Sequence, residues 1–403
     1  MTSAHACKTF PLIPADLRKE SRIHIEKVRD LIRKERLDGC LIAANTNIYY
    51  LTLRFFRGYV WIPAEGDPMF FVVRPNMYTG DNIERIRKVE QINDILTKRG
   101  DLKAGCRIGL EFGELSFSEI ERIRNSFPEH RVTDCTMLLK KARMIKTPWE
   151  IKRMRVDATL QGAVYAKVPD IYREGMTDVE LQIDIETLLR RKGCLGFPRV
   201  SGRFMQINLG SVIAGDNADV PSPYDFTMGG AGTDPSLPVG ADGMEIKVGT
   251  TVMIDMNGCF NGYQSDMTRT WSIGPVSKEA MKAHQCSRDI LRELEKMGRP
   301  GCPVADLYRR AMEIVRDRNL ERYFMGHCEK VSFIGHGVGI ELNEIPVIME
   351  RSRDVLENGM ILAIEPKFVI PGTGAVGVEN TYLVTDNGLE TLTDFPEDLT
   401  SLV

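Results

Sequence analysis

A carboxylate in the middle of an apolar strand is hard to bury, and this chain repeats that conflict at several distant places. Asp255 interrupts Thr-Val-Met-Ile-Asp-Met, Glu365 closes Ile-Leu-Ala-Ile-Glu-Pro, and Glu379 follows Val-Gly-Val. Each run reads as a strand, so each acid falls where a strand would bury its side chain. Such acids are rarely buried unless a cation or a metal compensates them. A fold that satisfies this sequence must therefore compensate each of these acids.

Asp266 belongs with them. It lies eleven residues after Asp255, and Asn-Gly pairs at 257–258 and 261–262 offer tight turns between the two runs. A hairpin would bring both aspartates to one end of a sheet. His336, in Phe-Ile-Gly-His-Gly-Val-Gly, adds one imidazole. Hard oxygen ligands with a single imidazole suit Mn²⁺, Fe²⁺, Co²⁺ or Zn²⁺, and the lack of nearby thiolates argues against a structural zinc site. Two ions bridged by carboxylates can acidify a shared water. Taken singly, each acid reads as a cap, a turn or an ion-paired residue; the five together read as a dinuclear centre.

Their order and settings resemble the pita-bread metallohydrolases, the family of methionine aminopeptidase, aminopeptidase P, prolidase and creatinase. The resemblance rests on Asp255, on Gly262-Tyr263-Gln264-Ser265-Asp266-Met267-Thr268-Arg269-Thr270, on Gly335-His336-Gly337-Val338-Gly339, on Glu365-Pro366 and on Glu379. It implies two divalent ions, manganese first, with iron, cobalt or zinc also suited. Asp255 would chelate one ion, Asp266 and Glu379 would bridge the pair, and His336 and Glu365 would complete the second. Glu365 would also act as general base, and Thr268 and Arg269 would orient the carboxylates. The implied fold is α+β: a curved antiparallel sheet backed by helices, with the metals on its concave face.

Length and composition set the surroundings. At 403 residues the chain exceeds one ordinary core, and 43% hydrophobic with 27% charged residues is a globular composition. A net charge of −3 gives no general attraction to nucleic acid, and basic runs such as 85–88 read as solvated helix faces. The first twenty residues lack an apolar segment of signal-peptide or membrane-spanning length, and nine scattered cysteines without a Cys-x-x-Cys pair read as reduced thiols. A cytoplasmic protein without membrane or nucleic-acid partners is expected. Cys259 reads as an ordinary buried thiol.

The domain boundary is placed near residue 142, giving an α/β domain at 1–142 and a metal-binding domain at 143–403. Thr147, Pro148 and Glu150 form a capping box with Pro at the first helical position. The segment Arg143 to Pro148 resembles the opening of the catalytic domain in prolidase and creatinase relatives. Before the cut, helices near 15–36 and 81–99 alternate with strands at 40–44, 69–73 and 107–112, and a mixed or parallel sheet follows. The run Asn47 to Thr52 resembles the creatinase-type amino-terminal domain, which implies a homodimer, and Tyr49-Tyr50 read as core. After the cut, helices are expected near 148–167, 178–192, 278–297 and 303–318. Strands are expected near 251–257, 263–273, 332–334, 360–369 and 377–385.

Gly335 to Gly339 and Gly229 to Gly232 lack the arrangement of a phosphate loop. The glycines around His336 are expected to let backbone pass close to a metal or substrate.

Two departures from the family pattern bear on substrate. Where the resemblance calls for a histidine about seventeen residues before the first metal aspartate, this chain has Pro238. Where it calls for His-Glu/Asp-x-Pro, the chain reads Asn343-Glu344-Ile345-Pro346. Such histidines contact the scissile amide, and one lost donor can cost about 3–4 kcal/mol of transition-state stabilisation. Asn343 keeps a hydrogen-bond donor and is the candidate catalytic residue beside Glu365; Tyr224, Asp225 and Asp234 are nearby polar groups. The favoured reading is a dinuclear metallohydrolase acting through hydroxide on an amide carbonyl of an Xaa-Pro dipeptide or short peptide. The alternative is non-peptide C–N hydrolysis or a lyase step on a small molecule at the same metals. A non-catalytic binding protein would be expected to lose ligands, and none is lost.

Overall fold

Strands form in this chain where β-branched and aromatic residues cluster, and capping boxes start the helices Phe117–Ser126, Pro148–Tyr165 and Asp178–Arg191. The computed structural model describes residues 9–403, and they divide into two compact units, one up to Arg143 and the other Met144–Val403. No helix among the described residues is long and apolar enough to cross a membrane.

The first unit holds a six-stranded mixed sheet. Its strand order is Ile83–Arg85, Met69–Arg74, Arg57–Pro63, Gly39–Ile42, Arg107–Leu110 and Arg131–Asp134. The pairs on either side of Arg57–Pro63 are antiparallel and the other three are parallel. Leu41, Trp61, Phe71 and Ile108 meet Ile92 and Leu96 from helix Glu90–Arg99 and Ile120 and Phe127 from the Phe117–Ser126 region in one apolar cluster. The helix expected over 81–99 starts later, because Ile83–Arg85 joins the sheet edge beside Phe70–Val72. Residues Asn45–Thr52 form a helix, with Tyr50 fully buried and Tyr49 half-buried.

The second unit holds two antiparallel arrays and a ribbon. One sheet runs Ser265–Ser272, Thr251–Gly258, Gly210–Ala214, with Thr400–Ser401 added in parallel at its edge. The other runs Glu344–Met349, Phe333–Gly337, Ile361–Ile364, Asn380–Thr385, Gly388–Thr391. The sheets adjoin where Glu379 N–H bonds Thr268 O at 3.2 Å and Asp266 N–H bonds Thr381 Oγ1 at 2.9 Å. Helices Pro148–Tyr165 and Asp178–Arg191 pack on the first sheet through Tyr165, Leu181 and Ile185. Helices Lys278–Met297 and Val304–Asp317 pack on the second through Ile290, Leu294, Leu307 and Ala311. The expected capping boxes form at Thr147 with Glu150 and at Thr177 with Glu180.

One expected strand divides. The run over 360–369 becomes Ile361–Ile364, in the five-stranded sheet, and Lys367–Ile370, in a ribbon with Gly374–Gly377. Pro366 at the break has no N–H to offer a ladder. The turn there sends Glu365 and Lys367 toward one place.

Candidate metal centre

Strand alternation decides which side chains meet. The strands of Asp255 and Asp266 pair with Asp255 opposite Thr268 and Asn257 opposite Asp266, so these four residues share one face. On the neighbouring sheet His336 lies opposite Ala363, and Glu365 N–H bonds Ile334 O at 2.9 Å, which places Glu365 beside the His336 strand. Glu379 enters from the start of the Asn380 strand. The five residues converge in two groups, Asp255 with Glu365 and Glu379, and Asp266 with His336 and Glu379. Within each group the ligand atoms lie within 4.8 Å of one another.

Like charges this close repel by about 4 kcal/mol per pair at 4 Å and an effective dielectric near 20. Burial first, then Glu379, Asp255 and Glu365, pushes the Asp266 carboxyl well above the usual range. Burial first, then Glu365, does the same to Glu379. The cluster therefore demands positive charge.

Part of that charge is covalently built in, from a residue the sequence reading passed over. Lys367 Nζ lies 2.8 Å from Asp255 Oδ2, 2.8 Å from Glu365 Oε2, 3.2 Å from Glu379 Oε2 and 3.0 Å from Thr227 Oγ1. Burial opposes the lysine's charge, but Asp255, Glu365 and Glu379 outweigh it and hold the ammonium well above the ordinary lysine value. Thr227 also donates to Glu365 Oε2 at 2.8 Å. The signal was present in Glu365-Pro366-Lys367: an ammonium two residues from a buried acid.

The other group keeps its donors open. Asp266 Oδ1 and Glu379 Oε1 are buried and have no hydrogen-bond partner. His336 Nδ1 lies 3.0 Å from Gly337 O, an arrangement that assigns the ring proton to Nδ1 and leaves the Nε2 lone pair facing the acids. Nε2 stands 3.7 Å from both Asp266 Oδ2 and Glu365 Oε1. An imidazole and two carboxylates whose ligand atoms cluster, each carboxylate with an oxygen lacking a hydrogen-bond partner, fit a divalent cation.

The surrounding residues fix these ligands. Thr268 Oγ1 donates to Glu379 Oε2 at 2.6 Å. Arg269 is buried and clamps the backbone on either side of Glu379, donating to Thr268 O, Glu379 O, Phe395 O and Pro396 O and to Asn380 Oδ1 at 2.7–2.8 Å. Gly335 and Gly337 are required by neighbouring strands, since a Cβ would strike Ala363 O or Ile345 O. Burial first, then Asp157, pushes the Cys259 thiol up to about 12, which leaves it unreactive.

A cavity of about 190 Å³ opens onto the centre. Asp255, Asp266, His336 and Glu365 lie on its floor side, and Met205, Ile207, Phe226, Phe333 and Val347 supply apolar wall. Asn343 and Asp225 also line it. The Asn343 amide is engaged with Ser201, donating to its carbonyl at 2.6 Å and accepting from its N–H at 2.7 Å. Pro238 O accepts from Ser222 Oγ at 2.8 Å, Tyr224 bonds Gln206, and Asp234 caps its own turn at Ser236. Of the polar groups near the missing histidines, Asp225 and Asn343 are the two that line the cavity.

Carboxylates and one imidazole gathered on adjoining antiparallel sheets, with helices behind, define a metallohydrolase scaffold. The sequence profile of metallopeptidase family M24 matches residues 152–386, and that of the creatinase/prolidase N-terminal domain matches residues 24–145. The chain belongs to metallopeptidase family M24. It is 27% identical over 383 residues to the Xaa-Pro dipeptidase of Pyrococcus furiosus, covering 93% of this chain and 99% of that one. Its fold is similar to the Xaa-Pro dipeptidase from Bacillus anthracis, at TM-score 0.78 and 22% identity over 94% of this chain and 99% of that one. It is also similar to the prolidase from Pyrococcus horikoshii OT3, at TM-score 0.75 and 22% identity over 93% and 99%. The pita-bread α+β fold behind a creatinase-type amino-terminal domain is the architecture that the sequence resemblance implied.

Proposed function

We propose that this protein is a divalent-metal-dependent hydrolase of short peptides with proline in the second position. The observation that carries this is the apolar-walled cavity lined by Asp255, Asp266, His336 and Glu365, in a cluster where Asp266 and Glu379 each keep an unpartnered oxygen. The names of the relatives support the same substrate class. A bound divalent ion would supply Lewis acidity toward a carbonyl and toward water.

The chain's own residues supply the rest. Asp225, Asp255, Asp266 and Glu365 line the cavity without a lysine or arginine among its lining residues, and this acidic lining attracts the free amino group of a dipeptide. Met205, Phe226, Phe333 and Val347 give a pyrrolidine ring an apolar surface. Glu365 Oε2 is pinned by Lys367 and Thr227, so Oε1 is the oxygen free to take a proton from an attacking water. Asn343 retains one amide hydrogen beyond its bond to Ser201, enough to donate to substrate but not to shuttle a proton.

The test is a panel of Xaa-Pro dipeptides, longer Xaa-Pro peptides and amino-acetylated controls, with metal content verified by elemental analysis. Proline release from free dipeptides, lost on acetylation and on chelation, is expected. If metal-loaded protein cleaves none of them, the peptide reading is wrong, and small non-peptide amides become the substrates to screen.

A further inference from the structure

We propose that the Lys367 ammonium occupies one of the two cation positions of this centre, so that the protein holds a single divalent ion between Asp266, His336 and Glu379. The inference rests on the metallohydrolase reading above and specifies how that site is filled.

Geometry carries it. The ammonium has three hydrogens, and four oxygens stand around it: Asp255 Oδ2, Glu365 Oε2, Glu379 Oε2 and Thr227 Oγ1, at 2.8–3.2 Å. Three of these belong to the residues that form the first ligand group. A divalent ion there would need the same oxygens at roughly 2.0–2.2 Å. Ammonium and ion cannot share that space. The lysine is fully buried, and its stem is walled in: a Cβ at Gly377 would lie 3.2 Å from Lys367 Cγ.

Displacement by a metal would therefore leave a buried ammonium without acceptors, and an unpaired buried charge is strongly unfavourable. Charge balance points the same way. Four acids and one lysine sum to −3; one divalent ion brings the centre to −1, whereas a second would make it +1 beside a stranded ammonium.

The remaining donors confirm the asymmetry. Glu379 divides its oxygens, Oε2 toward Lys367 and Thr268, while Oε1 has no partner. Asp266 Oδ1 is likewise unpartnered, and His336 Nε2 stands 3.7 Å from Asp266 Oδ2 and from Glu365 Oε1, the Glu365 oxygen that Lys367 does not bond. One carboxylate thus bridges a fixed organic cation and an open metal position.

The experiment is metal stoichiometry on the full chain. Protein equilibrated with excess Mn²⁺ is desalted and assayed by elemental analysis, with the electron paramagnetic resonance spectrum recorded in parallel. Wild type is expected to saturate at one ion per chain with the six-line spectrum of isolated Mn²⁺. Lys367→Met, which keeps the stem and removes the charge, is expected to take two ions and show a coupled pair. Lys367→Arg, the check if the methionine variant does not fold, is expected to stay at one. Two ions in wild type, or a coupled spectrum, would overturn the proposal while leaving the metal site intact. So would a folded Lys367→Met protein that still holds one. No ion in folded wild type would overturn both the proposal and the metallohydrolase reading beneath it.

Discussion

Asp157 shows at the level of one side chain how burial converts into pH dependence. It sits on helix Pro148–Tyr165, fully buried, with Oδ1 accepting from Phe260 N–H at 3.2 Å and Oδ2 without a partner. Burial pushes its carboxyl up to about 8, against the pull of the Phe260 bond and Arg153. The unfolded chain ionises it near 3.9, so between there and about 8 the folded state binds the extra proton. Stability contributed by this residue therefore falls as pH rises through that window and is flat above it. Asp157→Asn keeps the Phe260 acceptor and removes the charge. It should match wild type near pH 4 and exceed it at pH 8, by an amount on the order of a few kcal/mol. Denaturant melts at both pH values at fixed metal content check it; a pH-independent difference would refute the assignment. That these residues cluster was legible at this scale, because each acid and the imidazole stand out in an apolar strand-like run. Lys367 was not, since a lone lysine beside an acid is ordinarily a solvated pair, and only the Pro366 turn buries it.

At the scale of elements, local chemistry was readable where it is self-contained. Thr147 and Thr177 cap helices whose first turns they specify without help from distant residues. Thr177 Oγ1 accepts from Glu180 N–H at 3.1 Å, and Thr177 N–H donates to Glu180 Oε2 at 2.8 Å. Thr177→Ala should cost about 1 kcal/mol, or roughly 2–4 °C in melting temperature for a unit of this size, and Thr177→Ser should restore it. Calorimetry of the three proteins reads this; an alanine variant equal to wild type would show that the helix start is held by Asp178, which accepts from Gly243 N–H at 2.9 Å. Elements whose identity depends on a distant partner were less legible. Ile83–Arg85 and Gly210–Ala214 are strands because Phe70–Val72 and Val252–Met256 stand beside them. The Glu365-Pro366 junction read as one strand because both halves are apolar, although Pro366 breaks the ladder and the two halves pair with different strands.

At the scale of the whole chain, the centre couples segments more than a hundred residues apart, from Asp255 to Glu379, and both adjoining sheets of the Met144–Val403 unit contribute to it. None of these ligands is gathered in the unfolded chain, so an ion bound at Asp266, His336 and Glu379 stabilises the folded state by mass action. At a free ion concentration a hundredfold above the dissociation constant, that linkage is about 2.7 kcal/mol. At roughly 2–4 °C per kcal/mol, the melting transition of this unit should rise by about 5–10 °C between chelator and saturating Mn²⁺. The acids make the same prediction from the other side: without a divalent ion, Asp266 and Glu379 retain protons or mutual repulsion, both consequences of their burial together. The amino-terminal unit contributes no residue to either group. Calorimetry across a Mn²⁺ titration, with bound metal measured on the same samples, gives the answer. A transition that does not move while the ion is demonstrably bound would mean that the unfolded chain binds it equally well, and would refute the linkage; Asp266→Ala should lower the bound ion and with it the shift.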